Sequence, residues 1–177
     1  GYSPKELNFG KEGRDKLIRG INKISTAVKS TLGPSGNTVL IESPQHTRSL
    51  TVTKDGVTVA KSIDLMDPVE NLAVRMMKEA ADRTATTAGD GTTTAIVLTE
   101  AIVKCAMEMF EKHPKHNKTE VLREIVNITN EVVRELKKKS KPVTKSKLKS
   151  VATISANNDP VIGDIIAKIY NEVGKNG

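Results

Sequence analysis

The chain of 177 residues has no tryptophan, two phenylalanines and two tyrosines. A core without large aromatic rings must be filled by Ile, Val, Leu, Met and Ala, which suits closely packed helices better than a β-sandwich. Cysteine is almost missing as well. Cys105 stands alone, which excludes an internal disulfide framework. It falls inside an apolar helical pattern and is expected to be a small core residue in a reducing compartment, not a catalytic thiol. No apolar run approaches the length that crosses a bilayer, and no secretory leader opens the sequence, so a soluble intracellular protein without membrane contact is expected. The start at Gly1 is compatible with removal of a preceding transit segment, which would place the protein in an organelle matrix instead of the cytoplasm. Neither a Gly-x-Gly-x-x-Gly fingerprint nor a Gly-x-x-x-x-Gly-Lys-Thr loop occurs, which leaves Rossmann and P-loop folds unsupported.

Acidic residues are missing from one stretch. Lys137, Lys138, Lys139, Lys141, Lys145, Lys147 and Lys149 follow one another with no carboxylate between them, and these seven equal the whole net charge of +7. The basic character is therefore local. Nucleic-acid binding would call for stacking aromatics or a groove-reading helix beside the lysines, and neither is present. A solvated surface or an acidic neighbouring subunit is the better reading.

What is abundant is helical periodicity. Leu17, Ile18, Ile21, Ile24, Val28 and Leu32 mark one face of a long first helix that should stop at Gly33-Pro34. Two β-branched runs, 38–41 and 50–53, flank the polar Pro44-Gln45-His46 connection and predict a hairpin, ended by Lys54-Asp55-Gly56. Asp67-Pro68 reads as N-cap and first position of the next helix, with Val69, Leu72, Ala73, Met76, Met77, Ala80 and Ala81 inward. A further helix from about 91 to 111 should bury Ile96, Val97, Ile102, Val103, Ala106 and Phe110. Another, from 119, should bury Leu122, Ile125, Val126, Val132 and Leu136. His113 and His116 between them lack the neighbouring carboxylates or thiols of a metal site and read as a solvated loop. Ser140-Lys141-Pro142 looks like a boundary, residues 152–157 like a small-residue bend, and Asp159-Pro160 opens a last helix with Val161, Ile162, Ile165, Ile166, Ile169 and Val173 in its stripe, closed by Gly174. Its abrupt end at Lys175-Asn176-Gly177 suggests a truncated unit whose apolar faces await missing partners.

Chemistry concentrates in Ala88-Gly89-Asp90-Gly91-Thr92-Thr93-Thr94-Ala95, which places two glycines, a carboxylate and three hydroxyls at the entry of an apolar helix. The first turn of a helix presents unpaired N–H groups and a partial positive charge, so it attracts anions. Asp90 occupies the expected N-cap, yet a carboxylate beside a phosphate repels it unless a cation such as Mg²⁺ stands between them. The alternative is an ordinary capped helix. Two further turns, Thr31-Leu32-Gly33-Pro34 and Lys54-Asp55-Gly56, would complete a small volume of carbonyls, amides and carboxylates suited to a triphosphate with cations if all three converge.

These segments, together with Thr53-Lys54-Asp55-Gly56-Val57, Glu70-Asn71 and Thr153-Ile154-Ser155-Ala156-Asn157, resemble the group I chaperonins, ring-forming ATP-dependent folding machines, and follow that family's order. The resemblance implies a mainly α fold with a small β-hairpin: residues 1–140 as the first half of the equatorial ATP-binding domain, and 141–177 as the ascending part of the intermediate domain. The apical domain, the second equatorial half and the descending limb with the family's principal water-activating aspartate would be absent. It further implies that Asp90 holds Mg²⁺, and that Gly91, Thr92, Thr93 and Thr94 hold phosphate oxygens. Thr31 and Lys54 would supply carbonyls to K⁺, Leu32-Gly33-Pro34 would lie against ATP, Asp55 would stand near the γ-phosphate as the catalytic group, and Ile154 would touch the nucleotide. The implied partners are identical subunits in a seven-membered ring, two rings back to back, a co-chaperonin, and non-native polypeptides. Ser35 departs from the family's usual lysine, which affects local surface charge more than nucleotide binding. Two other functions stay open: a chaperonin-derived module that binds nucleotide without turnover, and nucleic-acid binding through the lysine segment.

Overall fold

The fold was obtained as a computed structural model, which describes residue 7 and residues 10–33, 35–42 and 50–174. The order is α1 (Gly10–Lys29), β1 (Val39–Glu42), β2 (Leu50–Thr53), α2 (Gly56–Ser62), α3 (Pro68–Ala88), α4 (Thr92–Lys112), α5 (Lys118–Lys139), α6 (Lys145–Ser155) and α7 (Pro160–Val173). The chain divides into two compact units, Gly1–Pro114 and Lys115–Gly177. The break in packing falls before α5, which itself buries no residue.

In the first unit, α1, α3 and α4 pack around Ile21, Ile24, Val28, Ala73, Val74, Met77, Ala81 and Ile96, and α2 adds Val59 and Ala60. Ile24, Val28, Val74 and Ile96 are fully shielded from water, and each contributes about 1.5–3 kcal/mol by burial. Helices α1 and α3 come close together at Gly20, where an added Cβ would strike the Glu70 carbonyl, its carbon only 2.9 Å away. Strands β1 and β2 pair antiparallel with Val39 opposite Thr53 and Ile41 opposite Thr51, and Val39 and Ile41 turn toward the helices. The 44–46 connection lies outside the described residues, as does 175–177.

The α3 boundary follows its sequence signals. Asp67 accepts from the Val69 and Glu70 amides at 2.9 and 3.0 Å, Pro68 fills the first position, and Gly89 ends the helix in the left-handed region at φ 72°. Several expectations need correction. Cys105 and Ile102 are exposed, not core, because α4 meets α1 and α3 along its Ile96, Glu100 and Val103 side. Leu72 and Met76 are likewise exposed on α3, while Glu70 and Val74 take the inward positions. Helix α2 has no counterpart among the expected elements, since seven residues with β-branched Val57, Thr58 and Val59 are too few to show a helical period.

The second unit has little interior. Residues 145–155 form α6 instead of leading into a bend, and the reversal comes after it, at Asn157 and Asn158, both left-handed with φ 56° and 63°. Helices α6 and α7 meet where Gly163 lies against Thr153, the position of a Cβ standing 2.7 Å from the Thr153 Cα. Ala152 and Ala167 are its buried apolar residues. The stripe expected to face inward on α7, including Ile165, Ile166 and Ile169, is exposed. So is that of α5, including Leu122, Val126, Val132 and Leu136. The small α6–α7 contact uses a different, glycine- and alanine-bearing face and covers neither stripe.

Candidate functional site

The end of α1, the start of α2 and the start of α4 come together at Gly56. A Cβ there would run into the Thr93 hydroxyl, with the Thr31 hydroxyl 3.2 Å and the Thr93 Cβ 3.3 Å away. Glycine at 56 is thus a condition for these turns to meet. Thr31 is fixed by its own hydroxyl, which donates to the Val28 carbonyl at 2.7 Å, and by its amide to the same carbonyl at 3.1 Å. Leu32 beyond it is half-exposed, and Gly33 turns the chain with φ 84°. The Gly36 amide donates back to the Gly33 carbonyl at 3.0 Å, and the Asn37 amide to the Ser30 carbonyl at 2.7 Å. A side chain at Gly36 would collide with the Thr31 carbonyl, so this turn requires glycine at 36. Pro34 lies outside the described residues.

Asp55 caps α2. Its carboxylate accepts the Thr58 hydroxyl at 2.6 Å, the Thr58 amide at 3.0 Å and the Val57 amide at 3.3 Å, while its own amide donates to the Thr53 hydroxyl at 3.0 Å. Partial burial pushes its carboxyl upward, but the Thr58 hydroxyl, the two amides and the Lys61 charge outweigh it and hold the group below its usual value. Asp55 is therefore an ionised acceptor, exposed to solvent beside the Gly56 junction. Lys54 is exposed as well.

At the third turn the cap differs from expectation. Gly91, not Asp90, is the N-cap of α4, left-handed at φ 85° and with no side-chain capping bond. Asp90 instead accepts the Gly91 amide at 2.6 Å with one oxygen and stands in solvent. The reason is steric: two glycines bracketing Asp90 permit two successive left-handed turns, which swing the carboxylate off the helix axis. The first turn of α4 is then left without a protein cap, Thr92 buried, Thr93 against Gly56 and Thr94 exposed. Among the described residues nothing comes within 4 Å of a Cβ position at Gly89, and at Gly91 only the Thr84 methyl reaches 4.0 Å. An anion can sit there.

The donor set fits a phosphate with a divalent cation. An uncapped helix start, hydroxyls and an exposed carboxylate lie on neighbouring turns. Among the described residues no group of three or more His, Cys, Asp or Glu could hold a metal by itself. Asp90 alone suits Mg²⁺, which keeps waters and phosphate oxygens as most of its ligands. Ile154 lies in the other unit, 65% exposed near the end of α6. Sequence reasoning passed over Thr53 and Thr58, the two hydroxyls that fix Asp55; the signal was a threonine three residues after an N-cap aspartate.

Residues 24–175 match the TCP-1/cpn60 chaperonin family. Among solved structures, the chaperonin gp146 from the bacteriophage EL 2 (Pseudomonas aeruginosa), crystallised in the presence of ATP-BeFx, superposes with a TM-score of 0.78 at 31% identity, over 94% of this chain and 29% of that one. A group III chaperonin in the open state superposes with a TM-score of 0.76 at 23% identity, over 93% of this chain and 32% of that one, which speaks for the fold alone. The chain spans less than a third of the length of either.

Proposed function

The chain is a member of the TCP-1/cpn60 chaperonin family, and from that premise we propose that it is the opening, nucleotide-handling portion of a ring-forming subunit that binds and hydrolyses ATP to drive folding of non-native polypeptides. The observation that carries the proposal is Gly56 wedged against Thr93 and Thr31, which gathers the three turns around an uncapped helix start. The phage chaperonin crystallised with ATP-BeFx supports a nucleotide as the ligand. In this reading Gly91, Thr92, Thr93 and Thr94 donate to phosphate oxygens, and Asp90 is the protein's ligand to Mg²⁺. Thr31 and Lys54 offer carbonyls to K⁺, and Leu32, Gly33 and Pro34 border the nucleotide. The cations would neutralise phosphate charge as the terminal phosphoryl group departs. Asp55, kept ionised by Thr58, orients water near that group. Ile154 is assigned an apolar contact with the nucleotide.

Group I membership is part of the same proposal and rests on Glu70-Asn71 and Ile154-Ser155-Ala156-Asn157. The same proposal includes an equatorial assignment for 1–140, an intermediate-domain assignment for 141–177, assembly with identical subunits in a seven-membered double ring, a co-chaperonin partner and an intracellular location. Nucleic acid is the weaker partner for the lysine segment, since Lys138 pairs with Glu135 at 2.6 Å and Lys149 with Asp164 at 2.8 Å.

Calorimetric titration of ATP with Mg²⁺ and K⁺ tests the site. Binding is expected in the parent chain and should fall at least tenfold in Asp90→Ala; equal affinity in both would remove Asp90 from the site. Phosphate release by the intact protein separates turnover from a module that only binds.

A further inference from the structure

Helix α1 is tied to its neighbours by two buried glutamates on other helices. Glu70 on α3 takes Arg19 at 3.0 Å and Lys23 at 2.5 Å. Glu100 on α4, 3% exposed, takes Lys104 from its own helix at 2.7 Å and Lys29 from α1. A carboxylate so deeply placed stays charged only with close cations. Burial pushes it upward, and the bonds from Lys104 and Lys29 more than offset this. The two cations differ in what they join. Lys104 sits one turn along α4 and constrains nothing else, whereas Lys29 is the last residue of α1 and joins two helices. Asn22 and Ser25, which with Lys29 form one stripe of α1, carry buried side-chain oxygens without a hydrogen-bond partner among the described residues. The directional tie along that stripe is thus the Lys29 ammonium.

Past Lys29 the chain enters the Ser30–Thr31 turn, and Thr31 meets Gly56 and Thr93. Glu100 lies about 12 Å down α4 from Thr92, at ~1.5 Å per residue. We infer that Lys29 and Glu100 are positioning residues: their pair sets how the end of α1 faces the first turn of α4, and so the spacing of the donors around the phosphate. The ligand in this inference rests on the nucleotide reading above; the tie itself does not.

The test compares Lys29→Gln with Lys104→Gln in the intact protein. Each removes one half-exposed cation from the same buried glutamate, but only the first cuts the link between helices. Two quantities are measured: amide hydrogen exchange at residues 31–33 and 92–95 without nucleotide, and the affinity for Mg–ATP. Lys29→Gln should accelerate exchange at both turns roughly tenfold and weaken Mg–ATP by a similar factor. Lys104→Gln should stay within about twofold in both, and Lys29→Arg should restore parental values. Unchanged exchange in Lys29→Gln, or equal acceleration in Lys104→Gln, overturns the inference. An exchange contrast as expected in a protein that binds no Mg–ATP keeps the tie and defeats the nucleotide reading instead.

Discussion

The two units were built from similar helices and ended differently. In Gly1–Pro114, helices of 20 and 21 residues close around fully buried Ile24, Val28, Val74 and Ile96. In Lys115–Gly177, helices of 22, 11 and 14 residues bury Ala152 and Ala167 and little else that is apolar. Amphipathicity does not explain this, because α5 and α7 carry stripes as clear as that of α1. The difference lies in the number of faces that meet. Four helices and a β-hairpin can enclose a volume, whereas the pairing of α6 with α7 encloses only a line. The candidate site belongs to the enclosed unit, where the end of α1 and the starts of α2 and α4 meet at Gly56.

The largest effect should come from truncating the enclosed core. Ile24→Ala should cost about 2–5 kcal/mol in chemical denaturation followed by helicity, while Ile165→Ala, on the exposed stripe of α7, should stay within about 0.5 kcal/mol. Equal losses would mean that the α7 stripe is covered after all. Close glycine approaches are shared by both units, so Gly56→Ala and Gly163→Ala should each cost about 1–3 kcal/mol. Only Gly56→Ala should also weaken nucleotide binding, since it displaces Thr93. Removing the cap of α7 by Asp159→Ala should cost about 1 kcal/mol, lost from the second unit's helicity alone; Asp159 accepts the Val161 amide at 2.8 Å and the Ile162 amide at 3.1 Å.

The smallest effect is one of pH. Hydrogen bonds from Lys149 and then Lys168 hold Asp164 at about 2, below the ordinary 3.8. The folded value is the lower one, so the ionised carboxylate contributes stability that is complete above about pH 4 and lost as pH falls through about 2. The helicity of α6 and α7 should decline over that window, and Asp164→Asn should flatten the decline. An unchanged acid profile in that variant would show that the Lys149–Asp164–Lys168 bridge stabilises nothing.

The sequence by itself determined the helices that announce their ends. Asp67-Pro68 and Gly89 bound α3, Asp159-Pro160 and Gly174 bound α7, and Pro142 follows the end of α5, because capping and proline geometry act within a few residues. It also singled out the three turns of the candidate site, two of whose threonines, Thr31 and Thr93, lie against Gly56 of the third, since only short polar and glycine-rich segments interrupt the apolar periods. Tertiary structure decided what depends on neighbours far along the chain. Helix α2 exists because Val59 and Ala60 find the core, and Cys105 faces water because α4 is covered along another side. Glu70 and Glu100 lie inside because α1 brings cations to them, and the stripes of α5 and α7 stay exposed because nothing in their unit meets them. An apolar or charged side chain states what it can bury or pair with; whether it does so is set by which surfaces the fold brings within a few ångströms.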